Sequence, residues 1–273
     1  MPGDVIRERR WELLTMALER TVPTYGPYVI DAYTAPVSVQ REVEEVESGR
    51  LMNVMTSGSG SAELNASTIP VPIPIDKGLL GYRVALINRD QQARIDTIHD
   101  IDGLRTLRIG QAEDWGDGPV YRLAGIPLVT PNRYDRLFPM LASGRFDLLP
   151  RGVTEITQEF NAFQPRYPQL RIDSHLLIHY PYAQFFYVSR AAPLLARRIN
   201  DGLEAMLKDG SFDALFRQHF GKAIADLHLE RRVVIELKNP YLPPWVPLAR
   251  KELWLVPLGS KTRRNTAAGG GQD

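Results

Sequence analysis

Arg151 follows a run that reads as a buried-type strand, Phe146 to Leu149, and precedes a helical pattern that begins at Glu155. The carboxyl end of a strand is where α/β sheets collect ligands. A guanidinium there offers a planar fork of donors that matches a carboxylate or phosphate, so ligand contact through Arg151 implies an anionic group. A surface salt bridge is the competing role. Glu155, four residues on, joins Arg151 as a candidate ligand contact.

The stretch Gln111 to Asp117 (QAEDWGD) is a strand-to-helix loop. Backbone N–H groups at a helix start favour anions. Gln111, Asp114 and Trp115 are candidate contacts within it, although the helix N-cap is the favoured role for Asp114 and packing in the turn for Trp115. Thr56 and Ser57, in a polar stretch that runs to Ser67 and reads as a loop, offer hydroxyls to a ligand. Tyr82 and Arg83 open an apolar strand expected to cross between two halves of the molecule, where structural and ligand contacts coincide.

Other chemistries find little support. The chain has no cysteine, which excludes thiolate catalysis, cysteine-ligated zinc and iron–sulfur clusters. His175 and His179 have a spacing that pairs zinc ligands on a helix. The residues between them read as strand, which puts the imidazoles about 13 Å apart, so no metal is expected. Gly58-Ser59-Gly60-Ser61-Ala62 lacks the spacing of a nucleophile elbow. No phosphate loop, no strand-bound Gly-x-Gly-x-x-Gly and no cofactor lysine motif occurs, so no cofactor is expected. A formal net charge of +1 gives no footprint for nucleic acid. The basic runs Arg7 to Arg10 and Arg231-Arg232 read as solvated helix faces. No apolar run reaches the about 18 residues a membrane span requires, and Met1 to Arg10 lacks the apolar segment of a secretory signal.

The elements that must position these residues alternate. Residues 5–20 carry an apolar stripe of helical period, Tyr28 to Tyr33 reads as a short strand, and Val39 to Glu47 as a helix closed by Gly49. Leu51 to Met55 then reads as a strand, and Pro70, Pro72 and Pro74 bar a central strand after it. Gly81 to Asn88 is a strand. The pattern restarts with strands at Leu107 to Gln111, Leu128 to Thr130 and Phe146 to Leu149, and helices at Asp117 to Ala124, Arg133 to Ser143 (N-cap Asn132) and Glu155 to Phe163. Strands at Leu176 to Tyr180 and Ala183 to Ser189 precede a long helix from Pro193 to Gly210 and a second one capped by Ser211. The alternation argues an α/β class with parallel sheets. Ser48-Gly49-Arg50 and Ser143-Gly144-Arg145 stand 95 residues apart at equivalent helix-to-strand junctions, which suggests two halves of related build.

Several stretches resemble the extracellular solute-binding proteins of the amino-acid-type transporter class, family 3 of the type II periplasmic binding fold. Ala142 to Leu148 is similar to that family's L-x-x-G-R-x-D element, and Phe185 to Phe220 to its C-terminal signature of strand, Pro-x-Leu, long helix, Asp-Gly and short helix. Ile75 to Val84, Leu107 to Trp115, Gly144 to Glu155 and Asn239 to Leu255 resemble an uncharacterised branch of transporter substrate-binding domain proteins. The likeness spans roughly residues 8–256. Two departures stand out. The chain opens at the helix that follows the family's first strand, so that strand and a signal peptide are expected to be absent from this form. The family's Thr/Ser-x-x-Arg carboxylate clamp has no counterpart in Thr56 to Ile69, and its amine-binding acid falls at Gly152.

The resemblance implies two α/β lobes, each a mostly parallel sheet flanked by helices, joined by two crossover segments near residues 84–100 and 172–186. The expected division is residues 1–95 for the first part of lobe one, 96–178 for lobe two, and 179–235 for the return to lobe one. Residues 236–258 form a C-terminal strap anchored by Trp245 and Trp254, and 259–273 a disordered tail. The implied function is non-catalytic binding of a small polar solute, by a monomer in the periplasm that delivers it to a membrane permease of the ABC type. A sensor domain and a same-fold dehydratase are the alternatives, the latter needing an acid–base pair from Asp114, Glu155 or Glu63.

Overall fold

A computed structural model of the chain describes residues 5–33, 38–113 and 115–255. Helix α1 (Val5–Arg20) buries Leu13, Leu14, Ala17 and Leu18, the stripe its sequence period predicts, and the short α2 (Val22–Tyr25) follows it. In α3 (Val39–Ser48) the Ser38 hydroxyl accepts from the Arg41 N–H, and Gly49 ends the helix at φ 63°. Strand β1 (Val54–Gly58) leads through the Ser61-capped α4 (Ala62–Ser67) to β2 (Thr68–Pro70). Then come β3 (Tyr82–Asn88), α5 (Gln92–Ile95), α6 (Ile101–Arg105), β4 (Ile109–Gly110), α7 (Gly118–Leu123), β5 (Leu128–Val129) and α8 (Leu137–Ala142). The remainder is β6 (Leu149–Gly152), α9 (Ile156–Phe163), β7 (Leu170–Ile172), β8 (Leu176–His179), β9 (Gln184–Ser189), α10 (Pro193–Asp209), α11 (Ser211–Asp226) and β10 (Val233–Glu236).

The strands divide into two main sheets. One has the order β1-β9-β2; the other runs β10-β8-β3-β6, with β7 also on β3, and β4-β5 form a separate pair. Among the described residues the β10–β8 and β4–β5 ladders are parallel and the others antiparallel. The α/β class therefore stands, while the mostly parallel sheets read from the alternation do not. The strands joined through a helix, β1 to β2 by α4 and β6 to β7 by α9, do share a sheet, but they pair with β9 and β3 rather than with each other, and those neighbours run antiparallel to them.

The chain passes between the two sheets by two short passages, at residues 71–81 and 180–183. It crosses a third time through α10 and α11 to β10, which pairs with β8 in the second sheet, so residues 179–235 do not all return to lobe one as the sequence suggests. The first passage comes earlier than expected, because β3, apolar from Val84 to Ile87, is buried as an inner strand of the second sheet rather than serving as a link. The passages are tied together. Asp76 Oδ1 accepts from the N–H groups of Gly78 at 3.2 Å and Gln184 at 3.1 Å, and Oδ2 accepts from Leu80 at 2.9 Å. A Cβ on Gly81 would lie 2.1 Å from the Tyr180 carbonyl oxygen, so only glycine lets the two segments touch there.

Several local expectations change. Residues 28–33 form no strand, and Tyr28 instead packs on the α1 and α10 core with its hydroxyl donating to Glu19 at 2.6 Å. The presumed loop 56–67 holds the rest of β1 and all of α4. Asn132 and Ser211 do not cap their helices; Arg133 and Gly210 occupy those positions. The basic runs are not wholly solvated. Arg9 is 2% exposed, with its guanidinium over the rings of Phe216 and Phe220, and Arg232 is 4% exposed, donating to backbone carbonyls of Asp173, Leu176 and Leu227. The strap is anchored by Trp245 against Phe185 and by Trp254 against Gly78, while residues 259–273 lie outside the described residues. The Ser-Gly-Arg echo persists: Gly144, like Gly49, is left-handed (φ 70°), and each precedes its strand by five residues, 49 to 54 and 144 to 149.

Candidate ligand-binding cleft

Where the two passages meet, a cleft of about 220 Å³ opens. Its walls come from four places: Leu80 and Arg83 on the first passage and the start of β3, Tyr182 on the second, Trp115 to Asp117 before α7, and Arg151 on β6 with Glu155 at the N-cap of α9. Arg83 faces the cleft because β3 starts beside the first passage and alternates its side chains between sheet faces.

Arg83 Nη2 lies 2.9 Å from Asp117 Oδ2, and its Nε donates to the Tyr180 hydroxyl at 2.8 Å. That hydroxyl donates in turn to Asp117 Oδ2 at 2.5 Å. Gln111 Nε2 donates to Asp117 Oδ1. Both carboxylate oxygens of Asp117 are thus engaged, Oδ1 by Gln111 and Oδ2 by Arg83 and Tyr180. Burial alone would lower the Arg83 guanidinium, but the facing Tyr180 and Asp117 outweigh it and hold it well above its ordinary value. Burial pushes the Tyr180 and Tyr182 phenols up, so both stay neutral hydrogen-bonding groups.

Arg151 forms the second polar knot. Its Nε and Nη2 donate to Glu159 at 2.5 and 2.7 Å, and Nη2 lies 3.1 Å from Glu155 Oε2. Its guanidinium sits 4.1 Å from the centre of the Trp115 ring, within cation–π range. Burial works against the charge here too, and Glu155 and Glu159 reverse it, raising the guanidinium above its ordinary value. Glu155 Oε2 also accepts the Gly152 N–H at 3.2 Å.

The cleft therefore brings together Arg83, Trp115, Arg151 and Glu155 from among the residues expected from sequence, with Gln111 one layer behind. Thr56 and Ser57 are elsewhere, paired with Phe186 and Phe185 in the first sheet, because β1 runs on through them. The first sheet approaches the cleft instead at Gly58 and Gly60, where a Cβ would fall 2.6 and 3.1 Å from the Tyr182 hydroxyl. Tyr82 is buried and stacked on the His179 ring, 4.1 Å between centres. Asp114 lies outside the described residues. Sequence reasoning passed over Asp117, Glu159, Tyr180 and Tyr182. The 151, 155, 159 spacing was one usable signal. The two tyrosines flanking Pro181 in a short inter-strand link were the other.

Solved structures are similar to this fold. An ancestral arginine-binding protein bound to arginine matches with a TM-score of 0.51 at 18% identity, over 76% of this chain and 86% of that one. The substrate-binding protein of an amino acid ABC transporter matches at 0.50 and 14%, over 78% and 87%. YckB from Bacillus subtilis matches at 0.50 and 17%, over 84% and 86%. No family model and no curated protein matches the sequence. The chain has the two-lobed type II periplasmic binding fold.

Proposed function

We propose that the protein binds a small polar solute in the cleft between its two halves, closing on it by hinge motion at the two passages, for delivery to a membrane permease of the ABC type. The observation that carries this reading is the cleft's position: its lining includes residues of both passages, so a bound solute touches the segments about which the halves must turn. Fixed polar groups and aromatic walls beside a modest cavity suit small-molecule recognition. The likeness to the substrate-binding protein of an amino acid transporter supports the transport role and a periplasmic or extracellular place of action.

The site is one for binding rather than turnover. The dehydratase alternative needs a general acid and a general base facing the cleft together. Asp117 and Glu159 are engaged at both oxygens, which leaves Glu155 as the one carboxylate of the cleft cluster, among the described residues, with an oxygen unpaired. A thermal-shift screen tests the reading, because a solute that binds only the folded form adds about 2.7 kcal/mol of stability at a hundredfold excess over its Kd. Shifts confined to one chemical class support it. A sharp melt unmoved by amino acids, amines, carboxylates, sugars and phosphates removes it.

A further inference from the structure

We propose that the solute carries a cationic nitrogen, an ammonium or guanidinium, seated against Glu155. This rests on the solute-binding reading above and specifies its ligand.

Charge matching supplies the first reason. Five ionisable side chains interlock at the cleft: Arg83, Arg151, Asp117, Glu155 and Glu159. Two guanidinia face three carboxylates, so among the described residues the cluster carries one uncompensated negative charge. A low-dielectric cleft magnifies that imbalance, and a cation removes it while an anion doubles it.

Donor availability supplies the second. The side of the Arg151 fork that suits a carboxylate, Nε with Nη2, is already filled by Glu159. Arg83 spends Nε on Tyr180 and Nη2 on Asp117. Each guanidinium keeps only Nη1 unengaged among the described residues, so neither can offer an anion the two-pronged grip that the sequence context of Arg151 implied, and Arg151 packs on Trp115 as a wall.

Glu155 supplies the third. Its side chain is 30% exposed, against 10% for Arg151 and 14% for Glu159, so it is the member of its knot that reaches open space. Oε2 is held by the Gly152 N–H and by Arg151, which fixes the carboxylate. Oε1 has no partner among the described residues. A fixed carboxylate with one free oxygen, beside the aromatic walls of Trp115 and Tyr182, is a receptor for a cation.

Calorimetric titration of the purified chain with putrescine, L-arginine, glucose, glutarate and inorganic phosphate tests this. Putrescine or arginine binds, and glucose, glutarate and phosphate bind more weakly or not at all. In Glu155→Gln the cation's Kd rises about ten- to a hundredfold, the scale of one hydrogen bond to a charged group. The glutamine keeps an oxygen for the Gly152 N–H, and Glu159 keeps Arg151, so the ligand-free melting temperature stays close to wild type. Glu155→Asp, which restores the charge, recovers part of the affinity. Tighter binding of glutarate, phosphate or glucose than of either cation overturns the cation assignment and leaves solute binding standing. An unchanged cation Kd in the glutamine variant overturns it equally. Binding of no probe sinks both readings together.

Discussion

Arg151 and Glu159 meet through two parallel hydrogen bonds, Nε to Oε2 at 2.5 Å and Nη2 to Oε1 at 2.7 Å. The pair staples the end of β6 to the first turn of α9, and both side chains are largely hidden from water. Arg151→Met leaves two carboxylates facing each other without their cation. The expected loss is about 3 kcal/mol, the cost of breaking a buried pair from one side. Urea denaturation measures it. A loss below about 1 kcal/mol would make the pair no better than an exposed one.

Tyr180 is the junction of the other knot. Its hydroxyl receives from Arg83 and donates to Asp117, all three buried. Tyr180→Phe strips one acceptor and one donor from charged partners and should cost about 1–3 kcal/mol. A stability equal to wild type would mean that Arg83 and Asp117 satisfy each other without it.

Gly81 and Gly144 separate two reasons for needing glycine. At Gly81 a methyl would meet the Tyr180 carbonyl oxygen at 2.1 Å, backbone against backbone. At Gly144 nothing lies within 4 Å and the constraint is φ 70° alone. Gly144→Ala therefore costs about 1 kcal/mol. Gly81→Ala costs at least about 2 kcal/mol, because the passages must part. Equal losses in a side-by-side melt would contradict this.

Arg9 is a buried cation whose Nε and Nη2 find no hydrogen-bond partner. Burial lowers its pKa to about 10, opposed in part by Asp76. Arg9→Met keeps the packing on Phe220 and removes the desolvated charge, so it should stabilise the protein by about 1–3 kcal/mol. A destabilised variant would show that the contacts with the phenylalanine rings outweigh the desolvation cost.

Burial also pushes the Asp76 carboxyl above its ordinary 3.8, against three backbone N–H bonds that favour the ionised form. A carboxyl whose folded pKa is raised contributes stability below the unfolded value and loses it as pH rises through the folded one. Wild type should therefore gain on Asp76→Asn as pH falls from neutrality towards 4. Parallel stability curves for the two proteins across that range would contradict the sign.

The sequence revealed most where local chemistry decides the outcome. Gly49, Gly144 and Gly210 end their helices where the pattern placed them, and β3 and α10 match their predicted runs within a residue or two. Pairing was the hidden part. Strand direction depends on which strands meet, and nothing in Val54 to Gly58 announces that its partner is 130 residues away in β9 at Gln184 to Val188. The cleft was half legible for the same reason. Arg83, Trp115, Arg151 and Glu155 carry charge or aromatic bulk at strand and loop ends. Asp117 reads as a helix start, and only the fold shows its carboxylate turned inward to Arg83. Arg9 shows the converse failure: a charged run suggests water, yet α11 lays three phenylalanines over one of its members.

The close seat of α1 on α10, where a Cβ on Gly202 would lie 2.1 Å from the Ala17 carbonyl, sets an order of assembly during synthesis. The second sheet takes β3, β6, β7 and β8 from one unbroken stretch, residues 82–179, and can begin to form while the chain is still emerging from the ribosome. The first half cannot. Its helix α1 lacks its main packing partner until α10 is translated, some 180 residues later. Until then the leucine stripe of α1 lacks most of the surface that buries it in the finished fold, so the half with the longer-range contacts closes last.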